Sequence, residues 1–300
     1  MKKLLYFLML PLVATSCGDL FDDDPYDFGG IVLGKDSEKV SASAAHLRLT
    51  EVPELQDNDL FIAHNLIIEG AVEDDTIMNY CLAYDTVKFH SRWVAFRFDG
   101  SNRDKNTGRS DSDAFQDDPE LNAKYYIGYN GFGSGYDRGH LCASNDRLVS
   151  EEANRQTFYM TNMSPQLSQF NQDYWVGYEQ HVQNLGRNAS FADTLYVVKG
   201  GTIGDDQIQG YVSRNNGKRV PVPGYYYMAL LKCKNATYEG IAFWMEHRVY
   251  SVEADKTEIA AHAISIDELE AKTGINFFHN LPDDIENEAE SKVTLTSWNL

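Results

Sequence analysis

The strongest constraint on this chain is how its apolar residues are spaced and punctuated. Short runs rich in aromatic and apolar residues recur at 78–84, 93–98, 195–198, 225–231 and 241–245, and they read as strands. Residues 157–163 also read as a strand, with Pro165 stopping any helix that would run through them. One segment breaks this pattern. Over 169–186, Trp175, Tyr178, Val182 and Leu185 recur at spacings of three and four, the apolar stripe of a helix that Gly186 can end. A second, shorter helix is expected from Ser265 onward, where Asp267 and Glu268 supply an acidic first turn. Strands mixed with a few helices, without regular βα alternation, predict an α+β fold. No apolar run reaches the roughly 18 to 20 residues of a membrane-spanning helix. No tandem repeat suggests a solenoid.

The chain opens Met1-Lys2-Lys3, continues nearly all apolar through residue 14, and then reads Thr15-Ser16-Cys17. A basic start, a short apolar stretch and small residues ahead of a cut site make a secretory signal. Cys17 after small residues resembles the lipobox of bacterial lipoproteins, in which the peptide is cut before the Cys and that Cys is lipidated. The expected organisation is a signal peptide over 1–16, an acidic flexible tether over 17–50, and one domain over 51–300. The expected location is outside the cytoplasm. The membrane would be reached only through the lipid on Cys17, at the outer membrane. The acidic residues behind Cys17 resemble a surface-export signal of some Gram-negative lipoproteins and fit a plain solvated linker equally well. Cys81, Cys142 and Cys233 show no CxxC spacing, so a Cys-based zinc site is not expected and buried thiols are.

Two stretches concentrate chemistry. Tyr136-Asp137-Arg138-Gly139-His140 joins a carboxylate, a rigid cationic fork, a permissive glycine and an imidazole suited to general-base work. On its own, so short a run also fits a surface loop, with Asp137 orienting either the Arg or the His. On the 169–186 helix, Asn171, Trp175 and Glu179 fall on one slanted row. An amide and a carboxylate on one row suit a hard cation that keeps most of its waters, the habit of Mg²⁺. An amphipathic helix with polar residues flanking a core Trp explains the same row. Residues 100–122 form a polar, punctuated loop, long enough to carry function. None of the eight histidines forms HxxxH or HExxH, and no GxSxG elbow, P-loop or dinucleotide fingerprint appears.

Taken in order, these elements resemble the DNA/RNA non-specific endonuclease family, the ββα-metal nucleases that include endonuclease G. The likeness rests on Asp137-Arg138-Gly139-His140, then 162–166 (Asn-Met-Ser-Pro-Gln), then the Asn171, Trp175, Glu179 row. Trp93-Val94-Ala95-Phe96 resembles the family's WVAY-like strand, and Arg109 ahead of Asp118-Pro119-Glu120-Leu121 stands where some members carry a second active-site Arg. Val198-Lys199-Gly200-Gly201 resembles a VTGP element, with Lys199 and Gly201 as departures. The closing stretch 264–283 is similar as well, so the likeness spans roughly 75–285.

The resemblance implies a mainly antiparallel central sheet flanked by helices, with a ββα-metal (His-Me finger) site. It implies Mg²⁺, with Mn²⁺ as a substitute, bound through Asn171. His140 would be general base and Glu179 would orient a metal-bound water. Arg138 and Arg109 would stabilise the transition state, with Asp137 and Asn162 in support. Substrates would be DNA and RNA, gripped through phosphates and cut to 5′-phosphate products. Some members of the family dimerise, and the sequence leaves a homodimer open.

The formal charge argues the other way. Lys and Arg number 26 against 45 Asp and Glu, a net charge of −19, which does not suit a protein that coats nucleic acid. A hydrolase with a small basic cleft in an acidic body accommodates both facts. The rival is a retired nuclease fold that only binds nucleic acid or a partner. Loss of His140 or Asn171 would mark it, and both are present.

Overall fold

The computed structural model describes residues 45–67, 76–133 and 135–300. The segment read as signal peptide, Cys17 and the chain up to residue 44 lie outside the described residues. Residues 45–50, expected to close the tether, pack on the folded body instead. Leu47 and Thr50 are buried, and Asn280 Nδ2 donates to the carbonyls of Leu47 and Leu49 at 3.0 Å each.

The strands are β1 (Asp59–Ile67), β2 (Thr76–Asp85), β3 (His90–Phe98), β4 (Tyr136–His140), β5 (Met163–Leu167), β6 (Thr194–Gly201), β7 (Ile208–Ser213), β8 (Arg219–Pro223), β9 (Tyr225–Lys234), β10 (Thr237–Glu246) and β11 (Ala263–Ile264). The helices are α1 (Glu151–Gln156), α2 (Val176–Gly186), α3 (Lys256–Ala261), α4 (Ile266–Thr273) and α5 (Asp283–Glu290). Seven strands form one sheet in the order β1-β2-β3-β6-β9-β10-β11, and every neighbouring pair is antiparallel. Two separate ribbons, β4-β5 and β7-β8, stand apart from it. The α+β fold with a mainly antiparallel sheet is therefore as expected.

Alternation along the strands divides the core into two layers, because successive side chains of a strand point to opposite faces. In β9, Tyr226, Met228 and Leu230 join one layer, while Tyr227, Ala229 and Leu231 join the other. The first layer is closed by Trp175, Tyr178, Val182 and Leu185, the helical stripe legible in the sequence. The second is closed by Ile266 and Leu269 of α4 and Ala289 of α5, with Phe277, Phe278 and Leu281 between them. Gly186 ends α2 where it crosses the sheet; a Cβ there would collide with the Phe98 ring.

Two expectations are corrected. Residues 157–162 are not a strand: they turn through a short 3₁₀ segment (Met160–Asn162), and the strand begins at Met163 and runs through Pro165. Pro165 is tolerated because β5 belongs to a two-stranded ribbon and pairs only with β4. The helix expected over 169–186 is present, but its first part, Phe170–Trp175, winds as a π-helical turn before α2 begins.

Candidate active site

The ribbon and the π turn build one site. β4 pairs antiparallel with β5, placing Arg138 opposite Pro165, Gly139 opposite Ser164 and His140 opposite Met163. A Cβ at Gly139 would run into the buried Gln166 side chain, which would have to move. The chain leaving His140 is clamped by Asn162. Its Oδ1 accepts from Cys142 N at 2.8 Å, and its Nδ2 donates to the carbonyls of Cys142 at 2.8 Å and Thr157 at 2.7 Å. Asn162 is fully buried, so its supporting role is to hold backbone.

His140 is 8% exposed, and its Nε2 is buried without a hydrogen-bond partner among the described residues. The ring lies in an aromatic slot, 5.0 Å from Phe158 and 5.8 Å from Phe115 between centroids. Burial, and then the charges of Arg109, Lys199 and Arg138, push its imidazole down to about 3. It is therefore neutral across the ordinary pH range, with a ring nitrogen free of a proton, and the same surroundings weaken it as a base. The two arginines rest on the same aromatics: Arg138 stands 3.6 Å over Phe115 and Arg109 5.1 Å over Phe158. Arg138 also donates to the Tyr129 carbonyl at 2.7 Å. Arg109 is set by its neighbour, since Ser110 N donates to Asn154 Oδ1 at 2.8 Å, fixing the long loop against α1.

Asp137 acts elsewhere than on Arg138 or His140. Its carboxylate accepts from Ser168 Oγ at 2.8 Å, Asn171 Nδ2 at 3.0 Å and Gln172 Nε2 at 2.7 Å. Against the rise that burial would cause, those three bonds bring its carboxyl below the usual carboxylate range. Tying up the Asn171 amide nitrogen leaves the amide oxygen facing away from Asp137. Asn171 sits within the π turn, and π turns in helices recur at functional sites. Trp175 is fully buried, 5.5 Å from Tyr226, so it is the core residue between Asn171 and Glu179. Burial, aided by the Asp146 charge and opposed by Lys199, Trp175 and Arg109, leaves the Glu179 carboxyl raised to about 7.

Lys199 was legible only as a departure from a motif. It is completely buried and paired with Asp146 at 2.6 Å, placing a fixed cation behind both His140 and Glu179. Arg214 carried no sequence signal at all. Its guanidinium donates to the carbonyls of Ile127, Gly128, Asn130 and Gly131, so it shapes the loop whose Tyr129 carbonyl holds Arg138.

Comparison with known proteins decides what this arrangement belongs to. The family model described as DNA/RNA non-specific endonuclease matches residues 61–284. The chain belongs to the DNA/RNA non-specific endonuclease family. It is 33% identical over 223 residues to a nuclease of Nostoc sp., spanning 71% of this chain and 76% of that protein. It is 26% identical over 280 residues to the mitochondrial nuclease EXOG of Xenopus laevis, covering 87% and 75% of the two chains. It is 32% identical over 171 residues to the mitochondrial endonuclease G of Caenorhabditis elegans, covering 55% and 54%. Among solved structures it is similar to one described as an EndoG/EndoGI complex, with a TM-score of 0.56 and 22% identity, covering 75% of this chain and 89% of that one. That likeness shows the fold. The protein is thus a nuclease, a phosphodiester hydrolase acting on nucleic acid. The ribbon, the π turn and the 100–122 loop that carry its candidate site residues all lie inside the matched span.

Proposed function

We propose that this nuclease cuts both DNA and RNA internally in a Mg²⁺-dependent reaction that leaves 5′-phosphates, with His140 as general base. The observation that carries the reading is the pairing of a neutral, buried imidazole with an asparagine whose amide nitrogen is already spoken for by Asp137.

The residues fit a hard divalent cation. Asn171 would hold it through the amide oxygen, and Glu179 would accept from a water on it. When bound, such a cation neutralises charge on the phosphate and on the leaving oxygen. The chain's own groups do the rest. Because Nε2 of His140 is buried, proton transfer from the attacking water falls to Nδ1. Arg138 and Arg109 meet phosphate oxygens and stabilise the charge that grows in the transition state. A bound phosphate would also offset the two arginines that depress His140, making the imidazole a stronger base when substrate is present. Contacts of this kind meet the sugar-phosphate backbone and carry no base readout, in keeping with a nuclease indifferent to sequence.

The test is cleavage of supercoiled plasmid and of bulk RNA, with Mg²⁺ or EDTA, by the wild type beside His140→Ala. Both polymers should be cut only with the metal, and the variant should lose on the order of 10² to 10⁴ in rate. A well-folded wild type that binds plasmid but cuts neither polymer would instead support the retired, binding-only reading.

A further inference from the structure

A second group of carboxylates lies on the far side of the central sheet. Asp267 and Glu270 on α4 and Glu290 at the end of α5 bring one ligand oxygen each within 4.8 Å of one another. Both helices pack on the second core layer, through Ile266, Leu269 and Ala289, whereas the helix carrying Asn171 and Glu179 packs on the first. The sheet therefore separates this group from the catalytic site.

Clusters of surface acids are common and mean little alone. Here one member is not on the surface. Glu290 is 3% exposed, and among the described residues its buried Oε1 has no hydrogen-bond partner. The charges that face it, Glu270, Glu286 and Asp267, are all negative. A buried carboxylate oxygen normally has a donor or a cation, since leaving it bare is costly. The geometry is also prepared in advance: Glu270 Oε1 accepts from Phe277 N at 2.7 Å, which fixes that side chain. Calcium accepts several carboxylates in a flexible shell of about six to eight oxygens, whereas magnesium demands near-ideal octahedral geometry and is usually held by one or two. Three carboxylates converging from two helices suit calcium.

We propose that Asp267, Glu270 and Glu290 form a structural calcium site that clamps α4 to α5, independent of the catalytic metal. Asp267 is exposed and leaves the site open to solvent on one side, where waters complete the shell. Loading would tie the C-terminal helices to the sheet edge formed by β10 and β11.

The experiment uses the full chain and three variants: Glu290→Gln, Asp267→Asn and Asn171→Ala. Thermal unfolding is followed in EDTA, in CaCl₂ and in MgCl₂, and calcium binding is measured by equilibrium dialysis. Wild type and Asn171→Ala should each bind one calcium equivalent and gain several degrees in Tm with calcium, and less with magnesium. Glu290→Gln should lose both effects. It should be at least as stable as wild type in EDTA, because a buried repulsion has gone. Asp267→Asn, altered only at an exposed position, should fold normally and bind calcium about tenfold more weakly. The proposal is overturned if calcium leaves the Tm of Asn171→Ala unchanged, or if Glu290→Gln and Asp267→Asn respond to calcium as the wild type does.

Discussion

At the residue scale, the informative partner in the site is Asp137. A carboxylate next to an Arg in sequence is easily assigned to that Arg, yet the antiparallel ribbon turns it toward the π turn and its Asn171. With Asn171 holding the cation, as proposed, the effect of Asp137 should appear in metal dependence. Asp137→Ala should raise the Mg²⁺ concentration for half-maximal cleavage by ~10 to 100-fold, the usual cost of losing a group that orients a metal ligand. Tm should move little, since Asp137 is only half-buried and its partners can turn to water. A Mg²⁺ titration of plasmid cleavage measures this, and an unchanged half-saturation would confine Asp137 to bracing the ribbon. His140, Arg138 and Asn171 were legible because their residue types sit in short ordered motifs. Lys199 was legible only as an oddity, because a lysine inside an apolar strand says nothing until Asp146, remote in sequence, is seen beside it. Arg214 was invisible for a different reason: its partners are backbone carbonyls, which every sequence supplies.

At the scale of elements, periodicity told most where a segment faces a core on one side. Trp175, Tyr178, Val182 and Leu185 are all buried, as their spacing requires. The π turn ahead of them left no trace in that spacing, because it ends where the stripe begins. The β4-β5 ribbon was harder to read, since its residues serve the site and do not alternate cleanly. A histidine pins this ribbon to its neighbour. His247 Nε2 accepts from Leu167 N at 2.8 Å, and its Nδ1 donates to the Pro223 carbonyl at 2.8 Å, joining the end of β5 to the end of β8. An imidazole that accepts at one nitrogen and donates at the other is neutral, and burial pushes it down to about 4. In the unfolded chain it would titrate near 6.5. The unfolded state thus binds the extra proton first, so this contribution to stability is whole above pH ~6.5 and is lost as pH falls toward 4. The slope from one such group is at most ~1.4 kcal/mol per pH unit. His247→Gln keeps an acceptor for Leu167 N and cannot titrate. Chemical denaturation at a series of pH values should show stability falling less steeply between pH 6.5 and 4 in that variant than in wild type. Parallel curves would mean that the joint opens before the histidine is protonated.

At the scale of the whole molecule, the formal charge of −19 and the substrate are at odds. A polyanion approaches a chain of net negative charge, and Arg138 and Arg109 are the cations the candidate site offers it. Arg138 and Arg109 are held on aromatic rings, and among the described residues neither makes an ion pair, although the Glu179 carboxylate acts on Arg109 from a distance. Few phosphates would be neutralised per binding event, and each neutralised phosphate contributes about −0.9 to the slope of log affinity against log salt on duplex DNA. Activity should consequently fall with salt, but along a shallow line set by a handful of contacts, with the acidic body adding a repulsion that salt relieves. Arg138→Ala should slow cleavage at low salt and flatten that slope by about one unit. The measurement is kcat/KM on plasmid between about 50 and 200 mM NaCl for both proteins. A slope unaltered by the substitution would mean that Arg138 stays on the Tyr129 carbonyl during turnover, leaving Arg109 to meet the phosphate. The two outcomes divide the site differently. In the first, the cation on the ribbon reads the substrate directly. In the second, the ribbon only shapes the slot, and the long loop that carries Arg109 supplies the grip.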